Sequence, residues 1–81
     1  MAVLFRYRPR VMTFRELREK HGFASGARLA KLANIDQTTV SQLDVGKVGD
    51  PRYSTVEAIA EVLGVTPGAV MRAIRETTEA A

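Results

Sequence analysis

The sequence contains no cysteine, which excludes a disulfide framework, a thiolate metal site and a cysteine nucleophile. It contains one histidine, His21, so a histidine-cluster metal site is excluded too. No apolar run approaches the length of a membrane span. The stretch Val3-Leu4-Phe5 is too short for a signal peptide, and its basic residues follow it instead of preceding it. Glycine-rich phosphate loops are absent, and no motif sets a nucleophile or carboxylate beside His21. These absences predict a cytoplasmic, non-enzymatic protein with no metal, no cofactor and no membrane partner.

What is present is compact and helix-rich. At 81 residues there is room for one domain and one modest core. Net charge is +3, unevenly spread: residues 1–31 hold eight Lys/Arg against two Glu, whereas residues 32–81 hold four against seven Asp/Glu. A basic N-terminal third beside a mildly acidic remainder points to a polyanion on one face. A solvated surface with chance clustering explains the charge equally well.

Helix signals recur along the chain. Thr13-Phe14-Arg15-Glu16 is a capping-box sequence. Phe14, Leu17 and His21 then share a face, with His21 partly buried at the helix end, and Gly22 offers a stop. Ser25 can cap a second helix to about Ala33. Asp36 can cap a third, from Gln37 to about Val45, ended by Gly46. Ser54-Thr55-Val56-Glu57 is a second capping-box sequence, and Val56, Ile59, Ala60 and Leu63 follow at helical spacing. Thr66-Pro67 opens a fifth helix with proline at its first position, fraying near Thr78. Phe14, Leu17, Phe23, Leu29, Val40, Leu43, Ile59 and Leu63 are the expected core.

Residues 2–11 differ, because Val3, Phe5 and Tyr7 alternate with Leu4, Arg6 and Arg8 at period two. A short β-strand pairing with another chain, a basic arm using Arg6, Arg8 and Arg10 in a minor groove, and a disordered leader all fit this segment. Residues 1–12 therefore read as an addition to a complete domain spanning 13–78.

The segment Leu29 to Leu43 is the most informative. It reads as two short helices joined by a tight turn, with Ala30 small enough for a close crossing and Asn34 able to take a left-handed turn backbone. Ile35, Val40 and Leu43 form the apolar back of the second helix. Gln37, Thr38, Thr39, Ser41 and Gln42 lie in front. A packed back and a Gln/Thr/Ser front suit major-groove reading.

These residues, Leu29-Ala30, Ala33-Asn34, Gln37, Val40-Ser41, Leu43-Asp44 and Gly46-Lys47, with Pro51, Thr55-Val56, Ile59-Ala60 and Leu63-Gly64-Val65 beyond them, resemble the phage-repressor-like helix-turn-helix family (the xenobiotic-response-element, Cro-type group). The resemblance implies an all-α, compact five-helix lambda-repressor-like domain, with its helix-turn-helix core at 26–45. It implies a homodimer on a near-palindromic double-stranded DNA operator, acting as a small transcriptional repressor. Gln37, Thr38, Ser41 and Gln42 would touch bases; Arg28, Thr39, Lys47 and Arg52 would touch the DNA backbone. The chain departs from the family at Gly26, where a glutamine is frequent, at Val45, where a polar or basic residue is common, and at Asn34, which stands for the usual turn glycine. Two other functions fit the same scaffold: the antitoxin of a toxin–antitoxin pair, binding DNA and a toxin partner, and a protein-interaction module that keeps the fold without DNA binding.

Overall fold

The computed structural model describes residues 11–80, and the candidate strand or arm at 1–10 lies outside them. Five helices follow one another: α1 (Phe14–Lys20), α2 (Gly26–Ala33), α3 (Gln37–Asp44), α4 (Tyr53–Leu63) and α5 (Pro67–Ala80). The described residues contain no strand. The expected all-α, five-helix domain is therefore what the chain forms.

The helix boundaries have local causes. Thr13 forms the full capping box, its Oγ1 accepting from the Glu16 N–H while Glu16 Oε1 accepts from the Thr13 N–H at 2.9 Å. Pro67 opens α5, and Thr66 Oγ1 accepts from the Ala69 N–H at 3.1 Å. The second expected capping box does not form. Helix α4 starts at Tyr53 with Arg52 as its N-cap, so Ser54 already lies inside the first turn, where its hydroxyl cannot serve as the N-cap acceptor. His21 is exposed and not partly buried, because α1 ends at Lys20 and His21 forms its C-cap. Helix α5 does not fray at Thr78 but runs to Ala80, with Thr78 Oγ1 donating to the Ile74 carbonyl at 3.0 Å.

The turn between α2 and α3 rests on Asn34, the one non-glycine residue with positive φ among those described (φ 58°, ψ 46°). The Ile35 N–H bonds back to the Ala30 carbonyl at 3.0 Å, and the Asn34 N–H to Lys31 at 3.3 Å. This pairing closes the end of α2 and turns the chain sharply into α3. Asparagine tolerates the left-handed backbone better than other side chains of its size.

One core joins all five helices: Phe14 and Leu17 from α1, Leu29 from α2, Val40 and Leu43 from α3, Ile59 and Leu63 from α4, and Val70 and Ile74 from α5, among others. Each expected core residue is buried except Phe23, which is half-buried against the cluster. Helix α5 packs on α1, α3 and α4, while α2 packs on α3 and α4. The α2–α3 pair thus sits with one side on the core and the other on the surface.

Among the described residues, two polar side chains are buried with this core, Arg18 and Thr77. Thr77 joins the two ends of the domain. Its Oγ1 accepts from the Phe14 N–H at 2.7 Å and donates to the Ala73 carbonyl at 2.8 Å. The first amide of α1, which has no partner inside its own helix, is thereby satisfied from α5. Thr77→Val keeps the shape and leaves that buried N–H without an acceptor, so we expect a loss of about 1–3 kcal/mol. Urea unfolding of the valine and serine variants checks this; serine should recover most of the stability, and a valine variant as stable as the parent would contradict the assignment.

Candidate nucleic-acid interface

Helix α3 carries the expected division of faces. Val40 and Leu43 are sealed in the core at 1% and 0% exposure. Gln37, Thr38 and Ser41 are exposed, and Thr39 and Gln42 are half-buried. The division follows from spacing: 40 and 43 fall on one side of a 3.6-residue period, and 37, 38 and 41 fall on the other. A row of short hydrogen-bonding side chains thus stands on a rigidly backed helix.

Three exposed cations lie on the segments that flank α3. Arg28 lies in the first turn of α2, exposed, with its guanidinium 6.0 Å from the centre of the Phe23 ring. That distance is at the outer limit of a cation–π contact. Lys47 is exposed just beyond α3. Arg52 is the exposed N-cap of α4. Together with Thr39, Asn34 and Asp36 it lines an open depression of about 510 Å³ beside the helix-turn-helix turn. The fold therefore brings Thr39 and Arg52 together. Arg6, Arg8 and Arg10 lie outside the described residues.

The helix starts fall into two groups. Helices α1 and α5 have side-chain caps from Thr13 and Thr66. Helices α2, α3 and α4 do not: Ser25, Asp36 and Arg52 occupy their N-cap positions, yet none accepts a side-chain cap bond. Ser25 and Asp36 thus stand where capping residues were expected without making the bond. Amides at a helix start carry partial positive charge and accept an anion readily.

Gly26 has a packing role that sequence reasoning missed. A Cβ at this position would lie 3.0 Å from Val40 Cγ1 and 3.8 Å from Asp44 Oδ2. With Ala30 one turn later, it lets α2 and α3 cross closely. Any side chain here would press on Val40, which would have to yield slightly.

The other missed residue is Arg18, 3% exposed. Its Nε donates to Asp44 Oδ1 at 3.2 Å and one terminal nitrogen to Asp44 Oδ2 at 2.7 Å. The other terminal nitrogen donates to the carbonyls of Phe23 and Ala24 at 2.7 and 2.9 Å. A signal was present: Phe14, Leu17 and Arg18 stand at i, i+3 and i+4, so the arginine falls on the buried stripe of α1. Val40, Leu43 and Asp44 repeat that spacing on α3.

Residues 11–77 match the helix-turn-helix domain family, and the chain belongs to it. No curated protein and no solved structure matches. Membership points to DNA binding, and the family is typically non-enzymatic. Among the described residues no helix is long and apolar enough to cross a membrane, and no group of His, Asp or Glu is placed to hold a metal ion.

Proposed function

We propose that this protein binds double-stranded DNA in a sequence-specific manner and acts as a small dimeric transcriptional repressor. The observation that carries the reading is α3 itself: a helix sealed behind by Val40 and Leu43 and presenting Gln37, Thr38 and Ser41 to solvent. In the proposed complex α3 enters the major groove. Gln37, at its first position, bonds adenine N6 and N7. Thr38, Ser41 and Gln42 contact neighbouring bases.

Arg28, Thr39, Lys47 and Arg52 take the phosphates, which orient the helix without reading sequence. The uncapped starts of α2 and α4 support this role, since phosphate oxygens can satisfy their amides. A dimer would set two recognition helices in successive major grooves about 34 Å apart. Repression would follow from occlusion of a promoter.

Lys47→Ala is expected to weaken binding to every duplex alike and to lower the slope of log K against log salt by about one unit. Titrations at several salt concentrations check it, and a change confined to one sequence would assign Lys47 to base reading instead.

Selection from a random duplex library, read by sequencing, tests the function as a whole. A near-palindromic motif with half-sites about one turn apart is the expected result. Absence of enrichment from the folded protein would overturn the reading in favour of a protein-interaction module, with a toxin among the partners to try.

A further inference from the structure

We infer that Arg18 is a positioning residue for base recognition: through Asp44 it fixes the tilt and roll of α3, and through Phe23 and Ala24 it fixes the start of α2 in the same frame. The inference rests on the DNA-reading function proposed above and assigns it a determinant that touches no DNA.

Val40 and Leu43 hold α3 against the domain, but apolar burial is non-directional and does not by itself select one tilt. Helix α3 has eight residues and is about 12 Å long. A tilt of about 5° pivoting at Asp44 moves Gln37 by about 1 Å over that length. Bidentate base contacts tolerate less than this, because hydrogen bonds span only about 2.7–3.2 Å. A directional restraint at the far end of α3 is therefore worth more to recognition than to cohesion.

The Arg18–Asp44 fork is such a restraint. It is planar and two-point, with bonds at 3.2 and 2.7 Å, so it fixes direction as well as distance. Asp44 is the last residue of α3, at the opposite end from Gln37. The pair is largely withdrawn from solvent, with side-chain exposures of 4% and 10%, so salt screens it less than a surface pair. The remaining terminal nitrogen holds the Phe23 and Ala24 carbonyls, directly before Ser25, the N-cap of α2. One guanidinium thus sets both the helix proposed to read bases and the helix start proposed to meet phosphate.

Buried ion pairs add little net stability compared with well-packed apolar replacements, yet they can specify one arrangement among several. The pair is a device of that kind, and the double variant Arg18→Met/Asp44→Leu separates the two effects. Asp44→Asn, which leaves the Phe23 and Ala24 bonds and weakens the fork to a single bond, is the second variant. Each is titrated with the selected duplex and with a scrambled duplex of equal length and composition, across salt concentrations, after cooperative unfolding has been verified.

The selected-to-scrambled affinity ratio is expected to fall roughly tenfold, the order of one misaligned base contact. In Asp44→Asn, which keeps the bonds to Phe23 and Ala24, scrambled-duplex affinity and the salt slope should stay at parental values; in the double variant, which loses them, scrambled-duplex affinity should fall as well. An unchanged ratio in the folded variants would overturn the inference while leaving the DNA-reading function intact. Failure of both variants to fold would also overturn it, by making the pair a requirement of stability. A parental protein that itself shows no preference between the duplexes would refute the proposed function and take this inference with it.

Discussion

Arg18→Met alone is expected to destabilise the domain by about 3–5 kcal/mol, the cost of leaving one member of a buried ion pair uncompensated. Three acceptors lose their donor together: the Asp44 carboxylate and the carbonyls of Phe23 and Ala24. Methionine fills much of the volume of the arginine stem, so the loss is of polar satisfaction and not of packing. Small domains have total stabilities near the low end of about 5–15 kcal/mol, so this single change consumes most of the margin. Urea or thermal unfolding followed by circular dichroism measures it. A loss below about 1 kcal/mol, the level of an exposed pair, would mean that water reaches Asp44 once the arginine is gone. The single and double substitutions therefore differ in kind: one leaves the largely buried Asp44 carboxylate without its counter-charge, and the other removes both charges.

Gln37→Ala is expected to weaken binding to the selected duplex by about 1–3 kcal/mol and to relax the preference at one base pair. Gln37 is exposed at the first position of α3, and removing its side chain disturbs no core residue. Stability should stay within about 0.5 kcal/mol of the parent, as for surface changes away from special features. Affinity for a scrambled duplex and the salt slope should not move, because no phosphate contact is lost. Titration against all single-base variants of one half-site is the decisive measurement. Equal losses on every sequence would remove Gln37 from base reading and leave it a general surface contact. Gln42 provides an internal comparison. It is half-buried, so less of its side chain is free to reach a base, and a smaller effect is expected there.

The parts of this fold that depend on neighbours in sequence were legible before the structure. The Thr13 capping box, the α2–α3 turn at Asn34, and the stripe of Val56, Ile59, Ala60 and Leu63 on α4 each follow from residues within two helical turns. The outward face of α3 follows from the same periodicity. Contacts between distant segments were not legible. Thr77 and Phe14 are 63 positions apart, and Arg18 and Asp44 are 26 apart; a stripe shows that Arg18 is buried without naming its partner. The meeting of Thr39 with Arg52 needed the placement of α4 on α2. Gly26 reads from sequence only as a departure from a frequent glutamine, and the position of Val40 gives it a steric reason. The false capping box at Ser54 had correct spacing, but the helix begins at Tyr53, and a motif one position inside a helix start caps nothing.

The bond from Thr77 to the first amide of α1 has a consequence for the order of events in the cell. The helix-turn-helix is complete in sequence by Asp44, yet its domain lacks its closing element until α5 has been made. A nascent chain emerging at about 5–20 residues per second carries the reading helix for seconds before the residue that clasps the two ends appears. Recognition should therefore switch on only once α5 has left the ribosome and docked, and a chain truncated before Pro67, which lacks the core residues Val70 and Ile74, should bind no operator although every base-reading side chain is present.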